Sequence, residues 1–279
     1  MRTSAQKIPK KNLAPWWEYS YGDAAYVMDE ISDTTTHVIG MIPARWASTR
    51  FPGKPLHIIA GKPLVQHVWE RCQKCSQLDS IIVATDDERI STAAQEFGAE
   101  VVMTSPDHPT GTDRLAEAAA KFPHASHIIN IQGDEPMIEP ALIDELASSL
   151  LADPDLSMAT AANEITDDAL IADPNVVKVV LKLNGDALYF SRSPLPYKRS
   201  ESPDLKVYRH KGIYAYRRDF LENFVTWSPS PLEQAESLEQ LRALENGARI
   251  KVIITDDLSG GIDTLEQAIE LEKILHSPS

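Results

Sequence analysis

The sequence predicts an α/β fold, with a doubly wound, mostly parallel sheet and a smaller antiparallel subdomain. Short apolar runs alternate with helix-like segments in the first half of the chain, as they do in successive βαβ units. In the second half, Asn184-Gly185-Asp186 separates two apolar runs, which is a strong hairpin signal. The chain has 279 residues, of which 43% are hydrophobic, so it can bury the core of one large domain or two modest ones.

The first half contains the elements of the parallel sheet. Apolar runs predict strands at residues 37–42, 80–85, 100–103 and 127–132. Patterns of three and four predict helices at 63–74, at 86–97, from about 112, and at 140–151. Pro63 suits a first helical turn, and Gly98 suits the end of the second helix. Asp153-Pro154 breaks the chain after the fourth.

The second half changes to an antiparallel pattern. Strands are predicted at 176–183, 187–191, 207–216 and 249–255, and helices at 232–245 and from about 264. Gly247 is a suitable stop for the first of these helices. We therefore expect the antiparallel subdomain to begin at the 184–186 turn.

Residues 1–36 do not belong to the alternation. We predict an N-terminal extension over 1–36 and one domain over 37–279. The extension holds Trp16 and Trp17 among other aromatic residues, which is compatible with docking through these side chains and equally with a disordered arm.

Cys72 and Cys75 form one C-x-x-C pattern inside a predicted helix. The chain has 2 cysteines, so no second pair is available to complete a zinc site. We expect two buried or half-buried thiols.

The chain is acidic, with a formal net charge of −14, so we expect no nucleic-acid partner. No apolar stretch approaches the roughly 20 residues that span a bilayer. Residues 1–11 carry cations without a following apolar segment, which is not the pattern of a secretory signal. The sequence predicts no membrane span and a cytoplasmic location.

Three cations stand out against this acidic background. Arg45, Arg50 and Lys54 fall within ten residues, directly after the first predicted strand and among prolines and a glycine. A solvated basic loop is the simpler interpretation of such a segment. In an acidic chain, however, converging cations and backbone N–H groups favour a site for one small anion such as a nucleotide triphosphate.

The remaining motifs favour an enzyme that catalyses nucleotidyl transfer and binds its nucleotide at the sheet. The sequence lacks G-x-G-x-x-G after a strand and G-x-x-x-x-G-K-S/T, which argues against dehydrogenases and P-loop enzymes. Nucleotidyl transfer needs a divalent metal, so carboxylates are expected near the loop that carries Arg45, Arg50 and Lys54, here called the cation loop. Asp134 follows a predicted strand, and Asp263 follows Gly260-Gly261. Asp263 is also well placed to cap the final helix.

Eight segments together resemble the 3-deoxy-manno-octulosonate (Kdo) cytidylyltransferase family, whose members are CMP-Kdo synthetases. They are residues 43–56, 83–86, 111–114, 130–136, 187–192, 209–216, 228–241 and 262–264. The resemblance covers nearly everything after residue 36. Thr110 stands where the family pattern has serine, a change that keeps the hydroxyl.

The resemblance implies transfer of CMP from CTP to the anomeric hydroxyl of Kdo, with Mg²⁺ as cofactor and release of pyrophosphate. The residues implied as catalytic are Arg45, Arg50, Lys54 and Asp134. Those implied to bind the nucleotide are Ala44, Arg45, Ser48, Lys54, Gly111, Arg114 and Gln132, and those implied to ligate Mg²⁺ are Asp134 and Asp263. A homodimer formed through the antiparallel half is also implied.

The resemblance further implies a sugar pocket formed by Arg192, His210, Tyr214, Glu239 and Gln240. From the residues alone, His210 is equally typical of a structural histidine, and Glu239 and Gln240 flank core positions and are compatible with facing water. The alternative substrates are 8-amino-Kdo and a sialic acid. A nucleotide-binding regulator without chemistry is a further alternative, which the intact carboxylates and cations disfavour.

Overall fold

A computed structural model describes residues 36–47, 51–200 and 204–276. Within these ranges the strands, numbered in chain order, are β1 (Val38–Ala44), β2 (Ile58–Ile59), β3 (Lys62–Pro63), β4 (Ser80–Thr85), β5 (Glu100–Met103), β6 (His127–Asn130), β7 (Met158–Ile165), β8 (Lys178–Leu181), β9 (Ala187–Ser191), β10 (Val207–Arg217) and β11 (Ile250–Ile254). The α-helices are α1 (Leu64–Cys72), α2 (Glu88–Glu96), α3 (Gly111–Ala120), α4 (Pro140–Ala152), α5 (Asp168–Ala172), α6 (Arg218–Phe224), α7 (Pro231–Glu236), α8 (Gln240–Glu245) and α9 (Leu265–His276).

The described strands form a nine-stranded mixed sheet and a separate β2–β3 pair. The main path of the large sheet runs β11-β7-β10-β6-β1-β4-β5. β6, β1, β4 and β5 are parallel, as are β11 and β7. β10 is antiparallel to both β6 and β7, and it also pairs with β8, which continues antiparallel into β9. The predicted fold class is confirmed, with the antiparallel part joined to the parallel part through β10.

The sheet is covered on both faces, as a doubly wound sheet must be. Helices α1, α2 and α4 pack one face, where Val65, Ile90 and Leu146 are fully buried. Helices α3, α6 and α8 pack the other, where Leu115 and Leu241 are fully buried. This burial explains why the strands of the parallel half are apolar on both sides rather than alternating.

The described residues contain five strands and α-helices that were not predicted from the sequence, β2, β3, β7, α5 and α6, and one predicted helix is divided. β7 was not predicted, because its sequence Met-Ala-Thr-Ala-Ala-Asn-Glu-Ile has little of the β-branched character that marks strands. It is a strand because it lies between β10 and β11. The helix predicted over 232–245 is two short helices, since Ser237 adopts a left-handed φ of 52° between α7 and α8.

The predicted hairpin and the predicted thiols are both confirmed. Gly185 has φ 84° between β8 and β9, and the Asp186 N–H donates to Asn184 Oδ1 at 3.1 Å. Cys72 is buried, Cys75 is half-buried, and neither is in a disulfide. Burial raises the pKa of both thiols, that of Cys75 to about 12, so both are neutral and unreactive at neutral pH.

The predicted extension over 1–36 lies outside the described residues except for Thr36, so the two-part division stays a prediction. Among the residues described, no helix is both long and apolar enough to cross a bilayer.

Gly133 marks a close approach between the ends of β1 and β6. A Cβ at this position would lie 2.7 Å from the carbonyl oxygen of Pro43, a backbone atom that cannot rotate away. At Gly212, in β10, a Cβ would meet nothing within 4 Å. Glycine at 133 therefore lets the two strand ends converge.

We predict that Gly133→Ala lowers the free energy of unfolding by about 1–3 kcal/mol, because the added methyl group forces the strand ends apart. Gly212→Ala is the matched control and is expected to have little effect. Urea titrations of both variants measure the difference, and equal losses would contradict the steric argument.

Candidate active site

A cleft of about 520 Å³ lies at the carboxyl ends of β1 and β6, where α/β sheets collect their ligands. It brings together nine of the residues predicted from the sequence: Ala44, Arg45, Lys54, Gly111, Gln132, Asp134, Tyr214, Glu239 and Asp263. Four others, Arg114, Arg192, His210 and Gln240, are not among its lining residues. Ser48 and Arg50 lie outside the described residues.

Lys54 joins the two predicted metal ligands. Its Nζ lies 2.6 Å from Asp134 Oδ2 and 3.3 Å from Asp263 Oδ1. The lysine side chain is 14% exposed, against 29% for Asp134 and 42% for Asp263. The two carboxylates therefore meet at one point that a cation occupies and that opens to the cleft.

The loops that carry these carboxylates are bonded to each other. The Ile262 N–H donates to the Asp134 carbonyl at 2.8 Å. A Cβ at Gly261 would lie 3.5 Å from the Asp134 carboxylate, so the loop passes close to this group. This contact brings together residues that are far apart in sequence.

The structure assigns the cap of α9 to Thr264 rather than to the Asp263 side chain. Gln267 Oε1 accepts from the Asp263 and Thr264 N–H groups at 2.6 and 3.0 Å, and the Gln267 N–H lies 3.4 Å from Thr264 Oγ1. This is a reciprocal Thr-x-x-Gln cap. The Asp263 carboxylate can therefore point to Lys54 while the helix remains capped.

Trp46 anchors the cation loop. The Gly53 N–H donates to the Trp46 carbonyl at 3.1 Å, and Gly53 has φ 72°. The Arg89 guanidinium lies 3.3 Å from the centroid of the Trp46 ring, a cation–π contact. The bond between Gly53 and Trp46 joins the two described ends of the loop, and Arg45 and Lys54 both line the cleft.

The N-terminus of α3 forms another wall. Thr110 caps it, with a hydrogen bond from the Asp113 N–H to Thr110 Oγ1 at 3.2 Å and the Asp113 carboxylate accepting from Thr110 in return. Gly111 and Thr112 then line the cleft. Because a helix N-terminus attracts anions, this wall adds to the positive potential of Arg45 and Lys54.

Arg114 lies behind that wall rather than in the cleft. It is 1% exposed, and it donates to Thr104 Oγ1 and, at 2.8 Å, to Asp86 Oδ2. Thr104 and Asp86 follow β5 and β4. Arg114 therefore ties the first turn of α3 to the ends of two strands.

Glu239 and Tyr214 line the side of the cleft that faces the antiparallel part. Thr112 Oγ1 donates to Glu239, and Arg242 lies 3.2 Å from its other oxygen. Burial raises the pKa of Glu239, opposed by the Thr112 hydrogen bond. Burial also raises the pKa of Tyr214, so its hydroxyl is a neutral donor.

His210 packs against Tyr214. Their rings pack at 5.4 Å, and His210 Nε2 shares a hydrogen bond of 2.9 Å with Thr160 Oγ1. Burial lowers the pKa of His210 to about 3. A neutral imidazole at this position cannot supply positive charge to a substrate carboxylate.

Arg192 and Gln240 do not line the cleft, and their side chains have different environments. Arg192 donates to the carbonyl oxygens of Glu236 at 2.7 Å and Pro174 at 3.0 Å. Gln240 is 4% exposed, and its Nε2 has no hydrogen-bond partner. The interpretation that Gln240 faces water is therefore wrong, because the break at Ser237 turns α8 inward.

Sequence reasoning missed Asn130 and Thr112, which also line the cleft. Asn130 is 5% exposed, and its Oδ1 has no partner. A buried acceptor left open toward a cleft is available to a ligand. The signal for Asn130 was present, because it stands two residues before Gln132 in the strand predicted over 127–132 and so falls on the same side of that predicted strand.

A larger cavity of about 670 Å³ lies at the other end of β6, beside His127 and Arg217. Arg217 is already paired with Asp219 and a carbonyl oxygen. The smaller cleft is the better candidate for the active site, because its charged groups converge and the buried polar residues Thr112 and Asn130 line it.

Comparisons with known proteins identify the family of the chain. Residues 39–250 match the family model described as Cytidylyltransferase. Relatives named 3-deoxy-manno-octulosonate cytidylyltransferase include one from Geobacter metallireducens, 53% identical over 84% of this chain and 96% of its own, and one from Solibacter usitatus, 52% identical over 85% and 92%.

A solved structure of a CMP:2-keto-3-deoxy-manno-octonic acid synthetase complexed with CTP aligns with TM-score 0.82. It is 44% identical, and the match covers 86% of this chain and 98% of that one. The predicted resemblance is therefore confirmed across the parallel and antiparallel parts alike. The chain belongs to the 3-deoxy-manno-octulosonate cytidylyltransferase family.

Proposed function

We propose that this protein couples CTP to Kdo, giving CMP-Kdo and pyrophosphate for lipopolysaccharide synthesis. In this reaction the anomeric oxygen of the sugar acid bonds to the α-phosphorus of CTP. The bond from that phosphorus to the β-phosphate oxygen breaks, and the hydroxyl proton leaves to solvent.

The observation that carries the proposal is the convergence of Lys54, Asp134 and Asp263 in a cleft that also holds Arg45 and the α3 N-terminus. Fixed positive charge lies where a triphosphate would bind. Lys54 and Arg45 would stabilise the charge that develops on the leaving pyrophosphate.

The two carboxylates fit Mg²⁺, which prefers oxygen ligands. No group of three or more candidate metal-ligating side chains occurs in the part of the chain that the structure describes. This suits Mg²⁺, which commonly takes one or two carboxylates and completes its ligands with water and substrate phosphates. When bound, the metal would neutralise phosphate charge and acidify the attacking hydroxyl.

The remaining lining residues divide between the two substrates. Gln132 and Gly111 are proposed to contact the nucleotide, while Tyr214 and Glu239 are proposed to bind hydroxyls of the sugar acid. Asn130, with its open acceptor, suits a further ligand hydroxyl. Arg192, His210 and Gln240, which do not line the cleft, are proposed to complete the sugar pocket behind Tyr214 and Glu239.

A homodimer and a cytoplasmic location remain predictions. Leu183, Leu188 and Tyr197 are exposed apolar side chains of the β8–β9 hairpin and the segment after it, which supports an interface in the antiparallel half. Sedimentation as a 30.9 kDa species at all concentrations would contradict the dimer.

The first prediction concerns Lys54. Lys54→Met removes a charge that contacts the reacting phosphates, so turnover is expected to fall about 100- to 1,000-fold. Lys62→Met is the control, because Lys62 pairs with Glu70 on the surface and should keep turnover within about threefold. Pyrophosphate release measures both, and a Lys54→Met enzyme as active as the control would refute the role.

A second prediction separates metal binding from helix capping. Asp263→Asn should abolish Mg²⁺-dependent turnover and leave the melting temperature nearly unchanged, because Thr264 and Gln267 keep the cap. Thr264→Ala should do the reverse, losing about 1 kcal/mol of stability while retaining activity. If Asp263→Asn lost stability but kept Mg²⁺-dependent turnover, the role of Asp263 would be structural.

The function itself is tested by substrate choice. With CTP and Mg²⁺, the purified protein is expected to release pyrophosphate with Kdo at least about tenfold more efficiently than with a sialic acid, a difference of about 1.4 kcal/mol that one buried hydrogen bond supplies. The same assay should include 8-amino-Kdo. Preference for either competitor would overturn the substrate assignment, and CTP binding without turnover would favour a regulator.

A further inference from the structure

A buried lysine lies against the loops that carry Asp134 and Asp263. Lys211 belongs to β10 and is 4% exposed. Its Nζ donates to the Ser259 carbonyl at 2.6 Å, to Ser259 Oγ at 3.1 Å and to the Asp257 carbonyl at 3.3 Å. The proposed reaction as set out so far does not use this ammonium group.

The same ammonium lies beside one carboxylate of each loop. Asp257 Oδ2 is 3.5 Å from Lys211 Nζ, and Glu135 Oε2 is 3.7 Å away. Glu135 directly follows Asp134 in the chain. Asp257 and Asp263 both belong to the segment between β11 and α9. Lys211 thus contacts the two segments whose relative position determines how far apart Asp134 and Asp263 lie.

A β-bulge directs Lys211 to this place. The β10–β7 register shifts between Lys211 and Tyr214. Thr160 Oγ1 lies 3.1 Å from the Lys211 carbonyl oxygen and 2.7 Å from that of Ile213, and Gln132 Nε2 donates to the Gly212 carbonyl at 2.8 Å. Bulges are common beside active sites, where they redirect a side chain.

Other hydrogen bonds also hold the Asp257 segment. The Glu139 N–H donates to Asp257 Oδ2 at 3.2 Å and, with the bond from the Ile262 N–H to the Asp134 carbonyl, joins the two loops. Asn163 Nδ2 donates to the carbonyl oxygens of Thr255 at 2.6 Å and Asp257 at 2.8 Å. These bonds anchor one loop to β7. Lys211 adds to these bonds a buried positive charge beside one carboxylate of each loop, so its loss would leave Glu135 and Asp257 without that cation.

We propose that Lys211 is a positioning residue for metal binding: its buried ammonium holds the Glu135 and Asp257 segments at the separation that lets Asp134 and Asp263 share one divalent cation. This role rests on the proposed function, since it assumes that these two carboxylates bind the metal. Lys211 acts through the loops, and the described contacts of its Nζ are with Glu135, Asp257 and Ser259.

The test is Mn²⁺ binding by the intact protein in the presence of CTP and without the sugar acid, followed by electron paramagnetic resonance. Lys211→Met is expected to weaken Mn²⁺ binding about tenfold or more, as loss of a group that orients metal ligands does. The KM for CTP at saturating Mn²⁺ should stay within about threefold.

Lys178→Met is the control matched for burial. Lys178 is fully buried, and its Nζ donates to the carbonyl oxygens of Asp173, Val176 and Arg192, away from the two loops. It is expected to lose stability without losing Mn²⁺ affinity. Lys211→Arg, which keeps the charge, should recover part of the affinity that Lys211→Met loses.

Removing one buried partner can also unfold a protein. The double variant Lys211→Met with Glu135→Gln removes one charge of each sign. If the single variant does not fold, Mn²⁺ binding is measured on the double variant instead. Unchanged Mn²⁺ affinity in a folded Lys211→Met or double variant would overturn the positioning role. Failure of the unaltered protein to bind Mn²⁺ with CTP would instead overturn the proposed metal site, and this role with it.

Discussion

Compensation of negative charge by two lysines is the constraint on which the site depends. Two loops place four carboxylates close together in a chain of net charge −14. Lys54 bonds Asp134 and Asp263 at the cleft, and Lys211 lies beside Glu135 and Asp257 below it. Without these ammonium groups, like charges in a partly buried site would repel one another or take up protons. Burial already raises the pKa of Glu135 to about 7, opposed by the charge of Lys211.

The sheet supplies the geometry in which this compensation works. β1 and β6 are parallel neighbours, so the segments that follow them emerge at the same edge. Gly133 lets these segments approach, and the Ile262 N–H bonds the Asp134 carbonyl. The antiparallel strand β10 then runs beside β6 and carries Tyr214 to the cleft and Lys211 beneath it. One strand thus supplies side chains both to the cleft and to the loops that carry Asp134 and Asp263.

The division of labour among arginines shows why residue type alone is a weak guide to role. Arg45 lines the cleft, whereas Arg114 bonds Asp86 and Thr104 behind α3, and Arg192 bonds carbonyl oxygens of the α7 region. All three were expected to contact a ligand. A guanidinium is equally suited to tie backbone segments together, and only the position of its neighbours decides which use it has.

The sequence by itself determined the fold class, the cation loop with Lys54, and the carboxylates Asp134 and Asp263, because these depend on local patterns: apolar periodicity, breakers, and charges next to strand ends. Tertiary structure alone decided the positions of Lys211 and Thr112, the path of β7 through an alanine-rich segment, and the break that turns Gln240 inward. Their effect arises from contacts across many residues of separation, such as the ammonium of Lys211 between two loops. Such contacts depend on strand order and on the bulge in β10, which no short stretch of sequence encodes.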